Sequence, residues 1–188
     1  VLESKNIKSN KTKLKKDMAN PKTSNPNAVH FADTETLIHS KIDPSSTIHG
    51  GVMVEDDLEV GPFATIHQGA TVSGKIGERA TVGANAKVTG SSLGYSSEVE
   101  PNAKVSDSTL GNKAIVLKGA EIDSSTVGYA SEIGIYSKVD SSKVGEGVIV
   151  GSRAKLNNGS IVLDGADVAA GETIPTNGVR ISKHHTVV

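Results

Sequence analysis

An aliphatic residue returns every 17 positions through most of this chain, and that period constrains the fold more tightly than any other property of the sequence. Ile76, Leu93, Leu110, Val127, Val144 and Ile161 form one column, and Gly77, Gly94, Gly111, Gly128 and Gly145 follow it. Two more columns run alongside: Val82, Val99, Val116, Ile133, Val150, and Val88, Val105, Ile122, Val139, Leu156. Toward the N-terminus Ile42, Ile48, Val54, Val60, Ile66 and Val72 stand six apart, a period of 18, and a short step from Val72 to Ile76 changes the register. A half-buried strand alternates with period two and an amphipathic helix repeats near 3.6, so neither produces this pattern. A three-sided solenoid does. Each coil makes three short strands, points one aliphatic residue per strand inward, and stacks on the next at about 4.8 Å.

The expectation is therefore an all-β parallel β-helix of about seven to eight triangular coils with 17–18 residues per coil. The residue four places after each aliphatic one is small, as at Ala64, Ala70, Ala80, Ala86, Ser97, Ala103, Ala114, Ala120, Ser131, Ser137 and Ala154, which suits a narrowing corner. Val52 and Val148 stretch that rule, and Leu58 breaks it. On the abbreviated face Ser91, Ser108, Ser125 and Ser142 align as a hydroxyl ladder, while Thr89, Ser106, Asp123, Asp140 and Asn157 align as turn residues. Lys104, Glu121 and Lys138 fall in one column with alternating charge.

Composition agrees with this architecture and removes several functions. Two Phe, three Tyr and no Trp exclude a core of large rings, and the absence of Cys excludes disulfides, thiolate metal sites and a Cys nucleophile. No apolar run approaches the roughly 18 residues that span a bilayer, and the chain is expected to be cytoplasmic. Residues 1–29 hold seven Lys against Glu3 and Asp17, whereas the remaining residues carry 13 basic and 19 acidic side chains. The segment reads as a basic flexible arm or linker, with Met18 as a candidate native start and an acidic protein surface as its partner. It lacks interleaved aromatics, which argues against nucleic acid. The solenoid is expected over residues 30–175 and a capping segment over 176–188; the stretch GETIPTNGVRISKHHTVV, residues 171–188, loses the period and is expected to cross one end.

Units such as VGPFAT, IHQGAT, IGERAT and VGANAK resemble the hexapeptide-repeat superfamily over residues 42–175. The resemblance implies a left-handed coil and a homotrimer or larger assembly. Within that superfamily, acyltransferases place a His between neighbouring prisms as general base, with acyl-coenzyme A or acyl carrier protein as donor, and usually carry a projecting loop or a C-terminal helix; neither is evident in this sequence. Gamma-class carbonic anhydrases hold zinc with three His, two of them spaced His-x4-His, a pattern that the His at 30, 39, 49, 67, 184 and 185 do not reproduce. The solenoid tails of sugar-phosphate nucleotidyltransferases abbreviate a face as VSDST and IDSST do here, yet their Gly-rich nucleotide loop does not occur in this sequence.

His49 and His67 are the candidate site residues. They lie 18 apart in the matching units IHGGVM and IHQGAT, so they are expected to stack on adjacent coils, where they could supply a general base or two ligands to an interfacial metal. No acidic orienter follows them by spacing, and packing at a surface or interface is the plainer reading of both. Asp123 and Asp140 read as turn residues before they read as cation ligands, and His184 and His185 as surface residues. Ile115, Leu117 and Ile149 occupy outward positions and mark a contact face. The functional expectation is a non-catalytic oligomeric β-helix scaffold with no metal and no cofactor. The alternative is an acyltransferase using acetyl-coenzyme A with His49 or His67 as interfacial base. A third is a relative of the gamma-class carbonic anhydrases that lacks the zinc triad.

Overall fold

The computed structural model describes residues 29–31, 39–182 and 185–187. Nearly all of the basic N-terminal arm, Met18 included, and His184 lie outside the described residues. Among the described residues the chain forms a left-handed parallel β-helix of about eight coils built from short strands. Three columns of inward aliphatic side chains define three faces, and the strand pairing fixes the register of each.

On the first face Ile42 pairs with Val60, then Ile76, Leu93, Leu110, Val127 and Val144 follow in register. The second face stacks Ile48, Ile66, Val82, Val99, Val116, Ile133, Val150 and Val168. The third stacks Val54, Val72, Val88, Val105, Ile122, Val139, Leu156 and Ile174. His30–Phe31 pairs with Met53–Val54, so the third face begins one strand before the first complete coil. From Val52 to Ile174 the inward Val, Ile and Leu of these columns are at most 3% exposed, so the interior is a continuous aliphatic rod.

One column assignment from the sequence needs correction. Val144 pairs with Val162, not with Ile161, which faces outward at 37% exposure. The physical reason is corner length: Asn157 to Ile161 place five residues between Leu156 and Val162, so the period returns to 18 and the inward position moves by one. A one-residue slip exchanges the two faces of a strand, which is why the error is visible in burial. The C-terminal segment also keeps the period longer than expected. Thr173–Ile174 stacks on Lys155–Leu156, and Val179–Ser182 pairs parallel to Ile161–Val162 before His185–Val187 returns antiparallel along it.

That last stacked position is occupied by Arg180, 3% exposed beneath Val162 and ion-paired with Glu172. Glu172 stands at a corner position that small residues fill in the coils above, so the aliphatic rod ends on a charge pair. At the opposite end Ile42 is 39% exposed.

The corners explain the small residues and the odd ones. Each small side chain of the expected set is buried. Leu58 is accommodated because its partner in the next coil is Gly74, which contributes no side chain, and a Cβ on Gly74 would meet the Ser91 carbonyl oxygen at 2.4 Å. The aligned serines form a ladder through the backbone and not between hydroxyls. The amide N–H groups of Ser108, Ser125 and Ser142 donate to Oγ of Ser91, Ser108 and Ser125 at 3.1, 3.0 and 2.9 Å. Each of those Oγ atoms donates in turn to the carbonyl two residues earlier, for example Ser108 to Ser106 at 2.6 Å. Replacing Ser108 by Ala strips the buried Ser125 N–H of its acceptor, and an unpaired buried donor costs about 1–3 kcal/mol. Urea unfolding should show that loss for Ser108→Ala, while Thr109→Ala on the exposed face of the same coil changes stability by less than about 0.5 kcal/mol.

On the third face Glu121 pairs with Lys104 at 3.0 Å and with Lys138 at 2.7 Å, as the alternating column requires. Lys138, then Lys104, hold the Glu121 carboxyl below the usual glutamate range. A depressed carboxyl stabilises the fold above its unfolded pKa and loses that contribution as pH falls through the folded value. The contribution is small because the pair is solvent-exposed.

Candidate functional site

Corner length also creates a depression on the surface. Between the third and first faces the chain uses residues 55–59 in the first complete coil, only 73–75 in the second, and four or five in later coils. The second coil therefore cuts the corner beneath an overhang of the first. The resulting notch has a volume of about 480 Å³, and its lining includes His39, Asp57, Lys75, Ser92 and Asp107, with Gly74 and Gly90 among the recessed residues.

At its rim His39 Nδ1 lies 3.7 Å from Asp57 Oδ1, with both side chains more than half exposed. That separation is an ion-pair contact when the imidazole is protonated and too long for a hydrogen bond. Asp57 is the carboxylate next to the His39 imidazole across this gap, and it makes no hydrogen bond to the ring. Sequence reasoning passed over this pair because it weighed His39 only against a zinc spacing. The available signal was the period itself, since His39 and Asp57 are 18 residues apart, one coil.

His49 and His67 do stack: their ring centroids are 5.1 Å apart with an interplanar angle of 10°. His49 is exposed and His67 half-buried. The stack ends there because the next residue of the column is Gly83. Neither ring lines the notch, so the two histidine pairs belong to different places on the prism. Asp123 and Asp140 are register partners on adjacent coils, both exposed. Among the described residues no three His, Cys, Asp or Glu side chains gather to hold a metal ion. His30 sits in the first strand of the third face, and His185 in the antiparallel return.

The outward aliphatic residues on the second face do not form an unbroken patch. Ile115 and Ile149 are separated by Glu132 in the coil between them, and Ile115 and Leu117 are half-buried while Ile149 is 53% exposed. Large apolar side chains are exposed at both ends, at Ile42, Met53 and Phe63 and, in greater number, from Tyr129 to Ile181. A further feature escaped the sequence reading. At the corner between the first and second faces Arg79 lies 5.6 Å from the Phe63 ring centre and 5.8 Å from that of Tyr95, and donates to the Tyr95 hydroxyl at 2.9 Å. Tyr129 carries Lys113 in the same way at 5.7 Å. The Arg79 hydrogen bond holds the Tyr95 hydroxyl below the usual tyrosine range.

No family model and no curated protein matches the chain. Solved structures match by shape. A UDP-N-acetylglucosamine acyltransferase of Francisella novicida superposes with a TM-score of 0.52 at 15% identity over 72% of this chain and 56% of its own. A hexapeptide transferase family protein from Anaplasma phagocytophilum aligns at 17% identity over 83% of this chain and 79% of its own, with a TM-score of 0.35. The chain thus spans little more than half of the Francisella enzyme, and at such identity the likeness is one of fold. No helix among the described residues is long and apolar enough to cross a membrane. In fold, this chain is a left-handed parallel β-helix of the hexapeptide-repeat kind.

Proposed function

We propose that the chain is a non-catalytic β-helix scaffold that works as a homotrimer or larger assembly, with its C-terminal coils forming the contact between copies. The observation that carries this reading is the exposure of large apolar side chains on those coils, among them Tyr136 at 53% and Leu163 at 44%. Exposed apolar surface of this kind marks a contact between chains. Sedimentation at micromolar concentration should give the mass of three copies or more, and Tyr136→Glu combined with Leu163→Glu should weaken association at least about tenfold, roughly 1.4 kcal/mol. A wild-type chain that remains a monomer under those conditions overturns the proposal.

The second reading is acyl transfer onto a small hydroxyl or amine, with acetyl-coenzyme A as donor. It is supported by the contact of His39 with Asp57 at the notch and by the fold shared with the Francisella acyltransferase. Under this reading His39, or the stacked His49 and His67, supplies the general base. Binding of acetyl-coenzyme A at about 100 times its Kd would stabilise the chain by about 2.7 kcal/mol, visible as a raised melting temperature. Turnover that disappears in His39→Ala or in His67→Ala would locate the base. Absence of any shift at millimolar acetyl-coenzyme A removes the reading.

A further inference from the structure

We infer that the second face of the prism is the docking surface for the Lys-rich N-terminal segment of this same chain. The register places Thr47, Thr65, Thr81, Glu98, Ile115, Glu132, Ile149 and Asp167 in one outward column. Acidic and aliphatic side chains alternate down its last five coils, and no Lys or Arg interrupts them. Glu100 adds a further carboxylate beside Glu98. The other two faces are different. In its outward column the third carries Lys87, Lys104, Lys138 and Lys155 around Glu121, with Asp123 and Asp140 two positions further along, and the first carries Lys41, Lys75 and Lys143 with Glu59. Of the three outward columns, only that of the second face is acidic without cations.

The segment that complements it is in the sequence. Lys11, Lys13, Lys15 and Lys16 cluster around Leu14, with Ile7 and Met18 on either side, so the segment offers cations interleaved with aliphatic side chains to a face that offers carboxylates interleaved with isoleucines. Opposed patterns of this kind select one surface over another by attraction to one and repulsion from the rest. The reach is sufficient. Twenty-eight residues extend up to roughly 90 Å, whereas eight coils rise on the order of 35 Å.

Because the chain has no Cys, paired cysteines report the docking directly in the full-length protein. Lys13→Cys is combined either with Ile149→Cys on the second face or with Lys155→Cys on the third, and the rate of disulfide formation is followed at low salt. The second-face pair should react at least about tenfold faster, and the advantage should vanish near 1 M salt, where the screening length falls to about 3 Å. Adding Glu98→Lys and Glu132→Lys should abolish it at low salt as well. Equal rates for the two pairs at low salt, or a second-face rate untouched by both salt and charge reversal, overturn the inference. Cross-linked monomer identifies the chain's own segment, whereas cross-linked dimer would place a neighbour's segment there and overturn the assignment to the same chain. Fast cross-linking within a particle that sediments as a monomer would leave this inference standing while removing the assembly proposed above.

Discussion

Gly128→Ala should destabilise the protein by about 3 kcal/mol, at the upper end of what overpacking a tight interior costs. A Cβ at this position would lie 2.3 Å from the carbonyl oxygen of Gly145 and 2.7 Å from the amide nitrogen of Glu146. Both obstacles are backbone atoms of the next coil, and that coil is fixed by Gly128 N–H donating to the Val144 carbonyl at 2.9 Å and by strand pairing on either side. No side-chain rotation relieves the contact. Gly147 in the next coil provides the comparison. Its φ is +61°, in the left-handed region, yet a Cβ there would meet nothing within 4 Å. Ala130, one coil earlier at the same corner position, already adopts φ +51° with a side chain. Gly147→Ala should therefore cost only about 1 kcal/mol, the conformational penalty alone. Urea melts of the two variants separate close approach from backbone conformation. Equal losses would show that coil-to-coil contact is not why the glycine column exists.

The second large effect is expected at the closed end of the rod. Glu172→Ala removes the carboxylate that faces the Arg180 guanidinium, and breaking a buried ion pair by deleting one partner costs about 3–5 kcal/mol. Glu172 keeps 28% of its side chain exposed, so water offsets part of the loss and about 2–3 kcal/mol is expected. Arg180→Leu tests the other half of the argument. Leucine continues the aliphatic column beneath Val162, so thermal stability should hold or rise slightly, as when a buried ion pair gives way to apolar packing. The same substitution removes the polar end of the stack, and concentration-dependent association should appear. If Glu172→Ala melts like the wild type, the ion pair does not close the rod.

How much of this was legible in the sequence follows from what repeats and what does not. A column such as Val82, Val99, Val116, Ile133 and Val150 is visible because every coil imposes the same demand, an aliphatic side chain of limited size in a closed interior. The stacked rings of His49 and His67 and the ion pairs of Glu121 follow from the same period. Errors arose where a coil changes length. Ile161 was assigned inward because the 17-residue step was extended past Asn158–Gly159, where one more residue turns Val162 to the core. The notch likewise depends on a corner that shrinks from residues 55–59 to 73–75, a difference between neighbouring coils that no single repeat unit displays. Arg180 defeated the pattern because a charged residue occupies an inward position, where it is ion-paired with Glu172.

Each surface assignment made for this chain rests on the register of 17 or 18 residues per coil. That register is measured most directly with spin labels on the first face. Nitroxides at Thr109→Cys and Thr126→Cys are placed on register partners of adjacent coils. Backbones about 4.8 Å apart should give strong spin–spin broadening. A spectrum equal to the sum of the two singly labelled proteins, with broadening instead from Thr109→Cys paired with Tyr129→Cys, would contradict the stacking on which the scaffold, the notch and the acidic face all depend.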